Sequence, residues 1–371
     1  MKLRSDPTSL ANAASQLGAI IALGLVPAVL VTVFTLAPTE PAFDFRAFWQ
    51  AGRDVAEGVS PYPRPDEIGS AAVQEFVYPP PFALLMLPFG MLEFDAAAAV
   101  FTVVLVAATA LTIRTFEIRD WRCYGAAFAS ILVLGALRLG ALTPVLALGL
   151  ALAWRHRDRK LALAALVAFL VVAKLFLWPI LVWTACTGRR AATALAVVFG
   201  GSATLAAWAV IGFQQIADYP HLLHVVAEAQ FAKSYSPAAL AAALGLSDRV
   251  ALFVPFLLAP LGIATIVLAS RRENGDAAAF MTGIAVALLL SPLVWLHYFA
   301  LLLVLLAISQ RQLTWLWLVP LAYWVVPFQE SRGEAWRIAV GLGLAITIAI
   351  VAIERRARAD ALAQPSVEPA A

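Results

Sequence analysis

The sequence predicts an all-α polytopic membrane protein: a bundle of about twelve transmembrane helices with interfacial helices on its periplasmic side. Three observations predict it. Hydrophobic residues make up 62% of the chain and charged residues only 13%, against about a quarter charged in a soluble domain. The mean hydropathy is +0.86. The apolar residues gather into runs of the length a bilayer demands, with basic clusters between them. A chain of 371 residues could hold two or three soluble domains. Membrane-length helices consume that length instead. One transmembrane domain over 1–355 is expected, then a disordered cytoplasmic tail over 356–371 that ends in low-complexity sequence.

The apolar runs place passes near 17–37, 95–113, 123–137, 143–154, 161–172, 175–187, 191–212, 250–269, 277–290, 294–309, 313–328 and 338–353. The runs over 123–154 and 161–187 are read as hairpins, because basic clusters at 119–122, 155–160 and 189–190 bracket them. Only hairpins bring all three clusters to one side; a single long tilted helix in each place is the alternative. With those clusters cytoplasmic, 17 of the 26 Lys and Arg lie inside, as the positive-inside rule requires. Both termini are then cytoplasmic, in the inner (plasma) membrane, and the loops 38–78 and 213–249 face the periplasm. The first run shows no small-residue cleavage site and is expected to stay as a helix. Cys123 and Cys186 lie at or inside apolar runs and imply no disulfide framework. No nucleotide-binding loop and no internal repeat is found, and no nucleic-acid partner is expected.

The first outer loop holds the most informative residue. Asp44 opens the stretch Phe43-Asp44-Phe45-Arg46-Ala47-Phe48-Trp49-Gln50-Ala51-Gly52. On a helical projection of about 100° per residue, Phe45, Phe48, Trp49, Gly52, Val55 and Ala56 fall between about 20° and 140° from Asp44. Arg46, Gln50, Arg53, Asp54 and Glu57 fall between about 180° and 280°. That is an interfacial helix with aromatic anchors, ended by Gly58. Asp44 sits on the edge of the apolar face, apart from the solvated acids. It has two readings: an N-cap accepting backbone N–H groups, or a carboxylate held at the membrane boundary to act on a lipid-borne substrate. The run Tyr78-Pro79-Pro80-Pro81-Phe82 then starts a short helix over 79–92, with Pro88 near its end.

These motifs, taken together, resemble the family-87 membrane glycosyltransferases of the GT-C superfamily. The resemblance is carried by Asp44-Phe45, Phe48-Trp49, Ala51-Gly52, Gly58, Pro61-Tyr62 and Tyr78-Pro79-Pro80. Lys174 with Pro179, and Ser291-Pro292 with Trp295 and His297-Tyr298, extend it over roughly 40–310. Two positions depart from the pattern: Gly140-Ala141 stands where Gly-Gln is usual, and Ser234-Tyr235-Ser236 where Asn-x-Ser is common. The resemblance implies an inverting hexosyltransferase, of the mannosyltransferase kind. It would move the sugar from a polyprenyl-phosphate donor to a periplasmic glycan or glycolipid, with Asp44 as general base. No cofactor is implied, and a divalent metal stays open.

Other ionisable groups are weighed beside that resemblance. Lys174 and Arg138 sit at the two hairpin tips, where each would either snorkel to the interface or contact the donor phosphate. His297, Tyr78 and Lys233 are further candidates for donor-phosphate or sugar binding. His221, His224 and Glu228 share one face of a helix starting at Pro220; the ordinary reading is a polar face, the other a metal ligand set that lacks members. The competing function is a transporter or flippase for lipid-linked glycans or small solutes. Such a protein needs polar groups along a path through the bundle, whereas here they gather at one face.

Overall fold

The computed structural model describes residues 42–64, 76–327 and 333–362, together with Gly18 and Glu67. Among the described residues there are sixteen α-helices and no strand. They are α1 (Phe43–Ala56), α2 (Pro80–Gly90), α3 (Phe94–Thr115), α4 (Trp121–Ala129), α5 (Ile131–Leu139), α6 (Thr143–Arg155), α7 (Lys160–Ala173) and α8 (Pro179–Cys186). The second half adds α9 (Arg190–Val210), α10 (Tyr219–Gln230), α11 (Pro237–Ala243), α12 (Asp248–Ser270), α13 (Asp276–Leu290), α14 (Leu302–Ser309), α15 (Trp315–Leu318) and α16 (Ala335–Leu362).

An α-helix rises about 1.5 Å per residue, so roughly twenty residues are needed to cross hydrocarbon. Four helices, α3, α9, α12 and α16, are long and apolar enough, and a fifth crossing arises if α4 and α5 count as one span bent by 65°. The chain is therefore an all-α polytopic membrane protein, but the twelve full-length crossings expected from the apolar runs are not what it shows. The first expected pass, 17–37, lies outside the described residues apart from Gly18. Several others are short. The run expected over 294–309 is a 3₁₀ turn, Leu296–Leu301, followed by the eight residues of α14. The run expected over 313–328 is α15 and a further 3₁₀ segment, Val319–Val325, with Pro320 at its start. Apolar composition does not separate a crossing helix from a short one enclosed by protein: Leu302 through Ile308 are all buried. Backbone that departs from the α-helix is tolerated at depth where protein covers it. Helix α16 continues to Leu362, so the expected break at 356 falls inside a helix; residues 363–371 lie outside the described residues.

Polar contacts sort the chain into two ends. At one end Arg189 donates to both oxygens of Asp276, at 2.9 and 2.8 Å, and to the Arg157 carbonyl at 2.9 Å. Arg155 donates to the Thr115 carbonyl, and Asp120 accepts the Leu313 N–H at 2.9 Å. The ends of the 161–187 run thus meet at one face, and the chain reverses at Lys174, an extended residue between α7 and a 3₁₀ turn over Leu175–Leu177. Gly140, at φ +66°, ends α5 and turns the chain into α6. The two runs are hairpins.

The opposite end is built on the α1–α2 pair. The aromatic face of α1 does not face lipid, as an interfacial helix would; it packs inward on protein. Phe45 and Phe48 are fully buried, and Phe45 stacks on Phe101 of α3 at 4.6 Å. Trp49 donates to the Leu92 carbonyl just past α2. Where the two helices cross, each presents a glycine to the other's backbone. A Cβ on Gly52 would overlap the Met86 carbonyl, and one on Gly90 would overlap the Arg53 amide. We expect Gly52→Ala to force the helices apart, costing about 1–3 kcal/mol as overpacked contacts do. Thermal unfolding in detergent should show a lower melting temperature for Gly52→Ala than for Gly201→Ala, whose added methyl meets open space.

Candidate active site

Helix α1 starts one residue earlier than its sequence suggests. Ala42 adopts the left-handed conformation at φ 57°, which a non-glycine residue takes at a cost of about 1–2 kcal/mol. Its N–H donates to the Arg138 carbonyl at 2.7 Å, and its own carbonyl accepts from the Arg46 amide at 2.9 Å. Ala42 is the N-cap, with no side-chain cap hydrogen bond. Asp44 is the second helical residue, so the N-cap reading of Asp44 is overturned. As a first-turn acid it still gains from the helix dipole, by about 0.3–1 kcal/mol.

The carboxylate opens into a cavity of about 780 Å³ on the same side as both hairpin tips. Tyr78, Lys174 and Lys233 line that cavity with Asp44. The Asp44 side chain is 27% exposed, toward the cavity, with protein around the rest. Burial pushes its pKa up to about 6, against the opposing pull of the Lys174 ammonium. At neutral pH it is mostly ionised, yet a stronger base than an exposed aspartate.

Lys174 is held by aromatic groups. Its Nζ donates to Tyr298 Oη at 2.6 Å and lies 4.0 Å from the centre of the Tyr78 ring. An ammonium has three N–H donors, and one is engaged by this neutral hydroxyl. Tyr78 is itself fixed: its carbonyl accepts from Tyr62 Oη at 2.8 Å, and its ring meets Phe48 edge-on and stacks on Phe82. His297 is buried beside the carboxylate, with Nε2 3.8 Å from Asp44 Oδ2. At that distance the two make no hydrogen bond. Arg138 does not line the cavity: its carbonyl anchors Ala42, and its Nη2 is buried without a hydrogen-bond partner among the described residues.

The second outer loop forms the other wall. Helix α10 contributes Leu223, Val226 and Gln230 to the lining. His224 lies 3.4 Å from Glu228 with both exposed, and among the described residues no three His, Cys, Asp or Glu side chains gather as a metal site would require. The departure at Ser234-Tyr235-Ser236 is a buried staple rather than part of the cavity lining. Ser236 Oγ donates to the Pro292 carbonyl at 2.8 Å, and Tyr235 Oη donates to the Val326 carbonyl at 2.7 Å. Gly140, at the other departure, sits under Phe45; a Cβ there would come within 2.5 Å of Phe45 Cβ.

The sequence analysis quoted Ser291, Trp295 and Tyr298 in the late motif without giving them a role and did not select Phe176, and all four line the cavity. Phe176 stacks on Tyr298 at 5.2 Å and so fixes the hydroxyl that holds Lys174. Tyr298 follows His297 directly in the late motif, and that adjacency was the available signal.

Comparisons with known proteins fit this geometry. The model of glycosyltransferase family 87 matches residues 76–294, more than half of the chain. The match begins after α1 and ends just short of His297, so it includes Tyr78, Lys174 and Lys233 but not Asp44. Neither curated proteins nor solved structures give a match. A multi-pass helical bundle with a carboxylate and an ammonium on one cavity, matched over most of its core, is a membrane glycosyltransferase: the chain belongs to glycosyltransferase family 87.

Proposed function

We propose that the protein is an inverting hexosyltransferase of the GT-C kind. It takes the sugar, mannose by the family resemblance, from a polyprenyl-phosphate donor and passes it to a periplasmic glycan or glycolipid. The observation that carries this reading is the pairing, on one cavity, of an Asp44 carboxylate with no hydrogen-bond partner among the described residues and a Lys174 ammonium with donors beyond the one given to Tyr298. The acceptor hydroxyl gives its proton to Asp44 while its oxygen attacks the anomeric carbon. Positive charge develops on the sugar ring, as in glycoside cleavage. The bond from that carbon to the phosphate oxygen breaks, and its electron pair leaves with the phosphate. Lys174 and Lys233 meet the departing anion in a site with little water, where a charge-assisted contact is worth most. The apolar wall of α10 and Phe176 suits the first isoprene units of the donor. The membrane is the inner membrane, with both termini in the cytoplasm and the cavity facing the periplasm.

The first test is Asp44→Asn in purified protein given a polyprenyl-phosphate sugar. Transfer should fall by about 10²–10⁴, the usual worth of a general base, while folding is kept. A rate within a few-fold of wild type would remove Asp44 from the chemistry.

The pH profile follows from the same group. A base works ionised, so transfer should fall about tenfold per pH unit below about 6. Replacing Lys174 with Met removes the cation that favours the ionised carboxylate, so the acid limb should move to higher pH and transfer should slow. An acid limb that stays in place would show that Lys174 does not act on Asp44.

Orientation is tested at Val59, 54% exposed beside the cavity side of the chain, in preference to Ser60, which is buried. A cysteine replacing Val59 should react with an impermeant thiol reagent in intact cells. Reaction only after lysis would invert the topology.

A further inference from the structure

A second cavity, of about 670 Å³, opens at the end of the bundle opposite Asp44. Helix α3 fixes the separation. Its first residue, Phe94, packs near Phe45, and its 22 residues carry the chain roughly 33 Å away. The cavity lies at its far end. Four guanidinium groups line it, from Arg114, Arg119, Arg155 and Arg311, against one carboxylate, Glu117. They come from the ends of α3 and α6 and from two separate loops, so the fold gathers them; no single basic run in the sequence does.

Cations at helix C-termini have an ordinary structural use in neutralising the helix dipole. That use accounts for part of the cluster. Arg155 donates to the Thr115 carbonyl at 3.3 Å, and Arg311 lies 3.6 Å from Glu117. Arg114, in the last turn of α3, can serve that use as well, but Arg119 lies past the helix end, and neither guanidinium has a hydrogen bond or ion pair among the described residues. The four side chains are exposed, so water screens much of their mutual repulsion, and what they offer an anion is their number on one concave surface and planar guanidinium forks that match phosphate oxygens.

We propose that this cavity is a phosphate-binding site, separate from the transfer site. One lining residue bears on the source of the phosphate. Leu111 lines the cavity and is 51% exposed. It continues the apolar outer face of α3, where Val100, Val103 and Val104 are also exposed. A lipid could place its headgroup among the arginines and its acyl chain along that face, as basic pockets beside membrane helices do. A free phosphate ion would have no use for the apolar wall.

The test is thermal unfolding of the purified full chain in neutral detergent. It is titrated with phosphatidylglycerol, phosphatidylcholine, or inorganic phosphate at matched ionic strength. Phosphatidylglycerol should stabilise the wild type at concentrations where phosphatidylcholine does not. The double variant Arg114→Gln, Arg119→Gln should need at least tenfold more phosphatidylglycerol for the same shift. Glu117→Gln, which removes the only opposing charge among the lining residues, should need less. The two variants move in opposite directions, so a general loss of fold cannot imitate the pattern. Stabilisation by inorganic phosphate as well, lost in the same double variant, would uphold the site and assign it to a free anion. Equal response to phosphatidylcholine, an unchanged response in the double variant, or no gain in Glu117→Gln would overturn it.

Discussion

Backbone-to-backbone contact around α1 is the constraint on which the candidate site depends. The helix is held at three points where no side chain fits between the partners: the Ala42 amide on the Arg138 carbonyl, Gly140 beneath Phe45, and the Gly52–Gly90 crossing with α2. Such contacts leave little slack, because packed interiors transmit small displacements. Through them the position of Asp44 is set by the tip of the α5–α6 hairpin, and the position of Lys174 by the tip of the α7–α8 hairpin. Two tips meeting one helix is how residues 130 positions apart in the chain come to share a cavity.

That arrangement has an energetic consequence. The carboxylate is largely enclosed by protein, the His297 ring stands 3.8 Å away, and no hydrogen bond compensates it among the described residues. Groups held in this way are costly to the fold and are found where reactivity requires them. Helix α1 also starts from an alanine in a left-handed conformation. Backbone strain of this kind persists where surrounding structure imposes it. Here the Arg138 carbonyl does so, and in return α1 begins one residue before the acid. Asp44 is thereby released from capping and left free to face the cavity.

Much of this was legible in the sequence, for identifiable reasons. Basic clusters at 119–122, 155–160 and 189–190 demanded reversals, and the chain reverses at Gly140 and Lys174, where a glycine of positive φ and an extended break allow it. The apolar and polar faces of 43–56 were legible from periodicity. What covers the apolar face was not, because lipid and protein select the same side chains, and here Phe101 and the α2 backbone cover it. The number of full crossings was illegible for the same reason, as the buried α14 shows. The start of α1 was misjudged because its cap depends on a carbonyl 96 residues away, and Tyr298 was passed over because its partner, Lys174, lies 124 residues away. Long-range contacts of this kind leave no local pattern to read.

The central claim is that the α1 clamp positions Asp44 for proton transfer. It is tested most directly by the sugar-transfer rates of Gly140→Ala, Asp44→Asn and the double variant, measured on protein that retains its fold by thermal unfolding. Gly140 touches Phe45, the neighbour of Asp44, and has no part in the chemistry itself. If the clamp acts through the carboxylate, Gly140→Ala lowers the rate at saturating donor by tenfold or more, and adding it to Asp44→Asn lowers the rate no further, since groups acting as one unit are not additive. A wild-type rate in Gly140→Ala, or losses that multiply in the double variant, would contradict the account.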